Sequence, residues 1–153
     1  MTIIVNKVAK RTIKVDDCPT KTVVIDEGAR GPRGLSDLFF LNRIANSNLG
    51  GHRAVISNED GTLDYADSSN VGHLGKVLGI IVRSTLAGQR VDVIRGGLLE
   101  FEGWSFDTDL PVYLATNGLL TQNPASAGFS QILGFAESPA GLFVNLREPI
   151  LLT

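Results

Sequence analysis

The sequence VLGI at residues 77–80 has a counterpart in ILGF at residues 132–135, 55 positions later. Each stretch is a short apolar run with a glycine inside it. A glycine at such a place is typical of a buried strand that bulges or that packs closely against another backbone. The two stretches therefore predict two buried β-strands in similar settings.

The segments around these two stretches also correspond, in the same order. RAVIS at residues 53–57 is followed by an Asp-Gly turn, and PVYLA at residues 111–115 is followed by an Asn-Gly turn. Asp-Gly and Asn-Gly between apolar runs are strong signals for a β-hairpin. Ala-Gly turns, V-D-V and V-N-L strands and Leu-Leu pairs then follow in both halves. This order predicts an internal two-fold repeat with units at about residues 52–99 and 110–152.

The fold class predicted from this pattern is all-β, a small sandwich or barrel. The chain has 153 residues: 43% are hydrophobic, 20% are charged, and 17 residues are glycines. This mixture favours short strands and tight turns over long helices. We expect a β domain over residues 36–153, preceded by an extended β-rich arm over residues 1–35.

The arm itself alternates apolar and polar residues over its first 27 positions, which predicts two or three short strands. GARGPRG at residues 28–34 indicates an extended linker, because the Gly-Lys-Ser/Thr of a phosphate-binding loop is missing. Residues 36–47 fit either one helical turn or the opening of a strand. Short strands with so little sequence of their own need another surface to pack against.

Charge is unevenly distributed along the chain, whose formal net charge is −2. Residues 1–35 carry seven basic and four acidic side chains, a balance of +3, and residues 36–153 carry seven basic and twelve acidic ones, a balance of −5. The arm is therefore suited to an acidic protein surface, including that of a neighbouring copy. Nucleic acid is disfavoured as a partner, since the arm has no aromatic residue to stack on a base.

The residues that resemble chemical motifs fit structural roles better. His52 and His73 lack the neighbouring ligands that a zinc site needs. The pairs Glu100/Glu102 and Asp107/Asp109 lie in polar stretches, where two carboxylates would titrate alike. GWSFD at residues 103–107 lacks the second glycine of a nucleophile elbow, and Trp104 and Phe106 are most simply core residues. We therefore expect no catalytic residue, metal or cofactor, and a protein that is not an enzyme.

Cys18 is the single cysteine, so no disulfide can form within the chain. The apolar run at residues 2–5 is too short for a signal peptide, and no window approaches the length of a membrane helix. We expect a soluble protein that is made in the cytoplasm and has no membrane partner.

The stretch from about residue 44 to residue 152 resembles the small β-rich capsid decoration (cement) and fibre-base proteins of tailed bacteriophages. The resemblance lies in the hairpin at residues 53–67, the VLGI and ILGF strands, the Ala-Gly turns, PVYL before NGLLT, and the LFVNL ending. The glycine-proline element at residues 28–34, after short strands, is similar to the opening of phage fibre proteins. The resemblance implies a virion protein, commonly trimeric, without catalytic residues.

From this resemblance we expect a capsid decoration protein on the outside of the phage head, bound to the major capsid protein or another virion protein and to its own copies. One alternative is a fibre or adaptor protein of the tail or collar that presents a receptor- or partner-binding surface. Another is a lectin-like carbohydrate-binding β domain. The arm residues expected to contact a partner are Ile3, Val5, Arg11, Ile13, Val15, Val23, Ile25, Arg30, Pro32 and Arg33.

Overall fold

The computed structural model describes residues 2–6, 10–14, 22–26 and 39–153. The chain divides into two units, residues 1–36 and residues 37–153. The first unit holds a three-stranded antiparallel sheet, β1 (Thr2–Asn6), β2 (Lys10–Lys14) and β3 (Thr22–Asp26), with β2 in the middle. The expectation of two or three short strands is thus met by three. The linker at residues 28–34 lies outside the described residues.

The second unit is built from strands and short turns. Its strands are β4 (Phe39–Ile44), β5 (Arg53–Ser57), β6 (Leu63–Tyr65), β7 (Val77–Ile81), β8 (Arg90–Glu100), β9 (Pro111–Leu114), β10 (Leu120–Thr121), β11 (Phe129–Ser130), β12 (Ile132–Ser138), β13 (Gly141–Asn145) and β14 (Ile150–Leu151). Two single turns of 3-10 helix, Val71–His73 and Thr116–Gly118, are the helical segments of the described residues. The prediction of an all-β fold is confirmed, and the ambiguous segment near residue 40 is a strand.

The main sheet is antiparallel, with strand order β10-β9-β12-β13-β8-β7-β5-β6 and with β4 paired to β8. It curls into a half-barrel whose two end hairpins meet. The amide of Gly118 donates to the carbonyl of Ala66 at 2.5 Å, and the amide of Ser68 donates to the carbonyl of Ala115 at 3.2 Å. Asn117 and Gly118 both have positive φ, 52° and 71°, as a tight Asn-Gly hairpin turn requires.

The inside of the curl is filled by one apolar cluster. Its largest fully buried side chains include Phe129, Leu133, Leu114 and Ile80. Burial of this surface is the main stabilising contribution to the unit. The VLGI and ILGF stretches thus both lie in strands that face this interior, as their apolar character predicts.

A second apolar cluster covers the other face of β5, β7 and β8. It contains Val55, Ile81, Val93 and Leu63, and residues Ala45 and Leu49 of the segment after β4 close over it. Alternate residues of a strand point to opposite faces, so β5 and β7 are buried on both sides. That is the physical reason for their continuous apolar runs, which differ from the half-polar alternation of an exposed sheet.

The segment that covers this second cluster is held in place by the carboxylate of Asp64. Asn46 Nδ2 and Asn58 Nδ2 each donate to Asp64 Oδ2 at 2.8 Å, and Ser47 Oγ donates to Oδ1 at 2.9 Å. Partial burial raises the pKa of Asp64, but the hydrogen bonds from Asn58, Asn46 and Ser47 outweigh it and hold the pKa below its usual value. The ionised carboxylate is therefore the form that the folded state favours.

Asp64→Asn is expected to make the stability of the protein less dependent on pH in the acidic range. Because the pKa is lower in the folded than in the unfolded state, the ionised Asp64 stabilises the fold above the ordinary carboxyl pKa, and this contribution is lost as the pH falls through the folded pKa. The urea midpoint should drop less in the variant than in the wild type between about pH 6 and pH 3. An equal drop in both proteins would contradict this role.

Candidate partner-binding surfaces

The register of the N-terminal sheet brings six of the ten predicted arm residues into two rows. One row pairs Ile3 with Ile13 and Ile13 with Val23; the other pairs Val5 with Arg11 and Arg11 with Ile25. The remaining four predicted residues lie outside the described part of the chain: Val15, Arg30, Pro32 and Arg33.

These two rows are separated by one row, that of Ile4, Thr12 and Val24. Alternate rows of an antiparallel sheet belong to the same face. The sequence pattern therefore assigns five apolar residues and one arginine to a single face of the three-stranded sheet. A small sheet of this kind needs packing against another surface for stability.

The second unit has an apolar row of its own, which crosses four strands on the outer face of the half-barrel. Pro111 of β9 pairs with Phe135 of β12, Phe135 pairs with Phe143 of β13, and Phe143 pairs with Leu98 of β8. We call these four residues the outer ladder. Phe143 is 48% exposed and Phe135 is 36% exposed, and the other two are half-buried.

The outer ladder points away from the core, because the residues next to it along each strand point inward. Leu99, Leu142, Ala136 and Val112 directly adjoin the ladder and are buried in the inner cluster. An antiparallel sheet that faces water on one side normally carries polar residues there. Two phenylalanines in register on this face are an exposed apolar patch of the kind that marks an interaction site.

Opposite charges lie on the two sides of the outer ladder. Glu137 follows Phe135 by two residues, Glu100 follows Leu98 by two residues, and both are exposed. On the opposite side lie Arg147 and Arg95, which are also exposed, together with the exposed Glu148 that follows Arg147; Arg95 Nε donates to the carbonyl of Leu78 at 3.1 Å. The outer ladder thus has an acidic border on one side and, on the other, a border with two arginines and one glutamate, which we call the basic border.

Strand β4 lies beside β8 in the second unit. Within the described residues it pairs with β8 alone. Phe39, which is 81% exposed, pairs with Gly96, two residues before Leu98 of the outer ladder. An apolar edge strand is a ready template for a strand from another chain.

Four aromatic rings form a cluster at the turn between the two halves of the sheet. The rings of His52 and Phe101 are stacked with centroids 3.7 Å apart, and Trp104 meets both of them edge-on at 5.7 and 5.6 Å. Phe106 lies 5.3 Å from Trp104. Trp104 and Phe106 also pack against the inner cluster, as their interpretation as core residues predicts.

The backbone of this turn is fitted closely around the rings. A side-chain carbon on Gly103 would overlap the ring of Phe101, so a larger residue there would displace this ring. His52 adopts the left-handed region with φ of 59°, which is uncommon for a residue with a side chain. The sequence places His52 and Phe101 49 positions apart, and no local pattern signals that they stack.

The closely spaced acidic residues at the end of β8 and before β9 lie at the surface. Glu100, Glu102, Asp107 and Asp109 are all exposed. The described part of the chain contains no group of three or more His, Cys, Asp or Glu residues placed to hold a metal ion. An open cleft of about 280 Å³ lies beside the β9–β10 hairpin, lined by serine, threonine and asparagine side chains together with three alanines and Leu114.

No known protein family and no curated protein matches the sequence of this chain. Among the residues that the structure describes, none forms a helix with the length and apolar character needed to cross a membrane. The surfaces described above are therefore the basis for a functional proposal.

Trp104 is the single tryptophan, so its fluorescence reports on this cluster. Partial burial lowers the pKa of His52 below 6.5, and a protonated imidazole beside an indole quenches its emission. We expect the emission to fall as the pH is lowered, with a midpoint below 6.5. The transition should vanish in His52→Asn, since asparagine tolerates the left-handed backbone, and should persist in His73→Gln. Persistence of the transition in His52→Asn would contradict the contact.

Proposed function

We propose that this protein is a non-enzymatic virion protein, a decoration protein on the outside of a tailed-phage head that functions as a homo-oligomer, in line with the trimers implied by the resemblance. The observation that carries the proposal is the outer ladder. It is an apolar row across four strands on the outer face of the half-barrel, with Phe143 and Phe135 exposed. Small-molecule sites are usually concave, whereas an apolar patch on an open face fits the surface of another protein.

The arm is the second element of the proposal. An edge strand of the arm would add to a sheet of the shell, since backbone hydrogen bonds at sheet edges give affinity with little dependence on side chains. Alternatively, the apolar face of the arm would cover a surface of the shell. Its balance of +3, against −5 for the rest of the chain, suits an acidic partner surface. A tail- or collar-associated adaptor would use the same contacts, so the location on the particle distinguishes the two functions.

We also propose that the second unit arose by internal duplication. In support, the strand order is symmetric: β6-β5-β7-β8 in one half corresponds to β10-β9-β12-β13 in the other, counted from each end inward. Each half consists of a hairpin, a glycine-containing strand beside it and a further strand beside that one. The hairpin-to-glycine-strand pairing also carries a register shift in both halves, at residues 55–56 and at residues 132–134.

The two glycines have the same physical role in this arrangement. A side-chain carbon on Gly79 would overlap the carbonyl oxygen of Ile94 on β8, and one on Gly134 would overlap the carbonyl oxygen of Phe143 on β13. The correspondence ends at the last element. Leu98 and Leu99 continue β8, whereas Leu151 lies in β14, which pairs with β11 in a separate small sheet. The duplication therefore concerns four strands per half.

Gly79→Ala and Gly134→Ala should destabilise the protein to a similar extent, by about 1–3 kcal/mol each, because the added carbon would force two strands apart. Gly96→Ala is the matched control, since a carbon there has no neighbour closer than 3.7 Å; it should change the free energy of unfolding by about 0.5 kcal/mol or less. Urea denaturation measures all three. A neutral effect at one of the two glycines would contradict their equivalence.

The arm is expected to be necessary for attachment to particles. Ile13→Lys places a charge in the central strand, in a row with Ile3 and Val23, and should abolish co-sedimentation with phage heads, as should deletion of residues 2–27. Thr12→Lys puts the same charge in the neighbouring row and is the control that should still bind. Unchanged occupancy of Ile13→Lys on particles would contradict the arm's role, and electron microscopy that places wild-type density on the tail would favour the adaptor.

A further inference from the structure

We propose that the outer ladder is the contact surface between copies of this chain, with the acidic border of one copy against the basic border of the next. The inference deepens the proposed function, on which it rests for the expectation of a homo-oligomer. It assigns that contact to named residues of the second unit, independently of the arm.

The outer ladder is suited to contact with another surface, because its residues are in register and lie on the same face of the sheet. Phe135 and Phe143 are cross-strand neighbours on adjacent strands, in one row with Leu98 and Pro111. Gly96 leaves space beside this row, since a carbon there would meet nothing closer than 3.7 Å. An apolar row on an outer sheet face, with space beside it, is suited to packing against a second sheet face.

The charges at the borders of the ladder favour a second copy as the occupant. Glu100 and Glu137 lie on one side of the apolar row, and Arg95 and Arg147 lie on the other. When two identical faces meet about a two-fold axis that runs along the apolar row, the acidic side of each lies against the basic side of its partner. The face is thus electrostatically complementary to itself.

An unrelated partner would have no reason to match this arrangement. An acidic surface would be repelled by Glu100 and Glu137, and a basic surface would be repelled by Arg95 and Arg147. A second copy of the chain presents opposite charge to each border and an apolar row to the outer ladder. The inference therefore commits to the chain itself as the partner of this face.

The first test is the mass of the full-length protein in solution, without particles, by light scattering or sedimentation. The wild type should exceed its monomer mass of 16.4 kDa, and Phe143→Ser should return it to the monomer. Leu119→Ser is the matched control, because Leu119 is 46% exposed in the hairpin turn away from the ladder; it should leave the oligomer intact. Circular dichroism should report the same fold in all three proteins, since both side chains point to solvent.

The second test exchanges the charges of the two borders. Glu137→Arg and Arg147→Glu should each weaken self-association by on the order of tenfold or more, because each sets like charges against each other. The double variant Glu137→Arg/Arg147→Glu should restore it. High salt should reduce the effect of each single variant.

The outcomes separate this inference from the proposed function. The ladder is not the contact between copies if the oligomer persists in Phe143→Ser. The same conclusion follows if the double variant self-associates no more strongly than the single variants. A wild type that is monomeric but loses particle binding in Phe143→Ser overturns self-contact and makes the shell the occupant, while the decoration function stands. Restored association in the double variant supports the inference even if the protein never binds a phage head.

Discussion

The second unit depends on the backbone pairing of one long strand, β8. Over its eleven residues it forms hydrogen-bonded ladders with β4, β7 and β13, so it joins both halves of the sheet. In its first half Val91 and Val93 lie in the second apolar cluster, whereas Arg90 is exposed. In its second half Leu99 lies in the inner cluster, and Leu98 on the other face belongs to the outer ladder.

The surface chemistry follows from this pairing. Because side chains alternate along a strand, fixing Leu99 and Leu142 inside the half-barrel also fixes Leu98 and Phe143 outside it. The fold that buries the inner residues therefore necessarily leaves apolar residues on the outer face of the sheet. We propose that copies of the chain assemble through this face and that the arm attaches the assembly to a larger structure.

Much of the fold could be predicted from the sequence, because hairpins and buried strands have local signatures. Asn117-Gly118 predicted a hairpin, which the structure has with positive φ at both positions, and the glycines of VLGI and ILGF predicted close backbone approaches. The outer ladder could not be predicted in this way. It depends on which residues of four separate strands are in register, and bulges such as the one between Ile132 and Gly134 change that register without a local signal. The stacking of His52 on Phe101 was missed for the same reason.

The most direct measurement of the central claim is the accessibility of position 145, beside the outer ladder, in the assembled protein. Asn145 is exposed two residues after Phe143 in the same strand; Asn145→Cys in a Cys18→Ser background leaves all four ladder residues in place and carries one thiol, whose rate of reaction with a maleimide can be measured in dilute and in assembled samples. Our account predicts a reactive thiol in the monomer and a protected one in the oligomer and on particles. Equal reactivity in all three states would show that nothing covers the outer ladder.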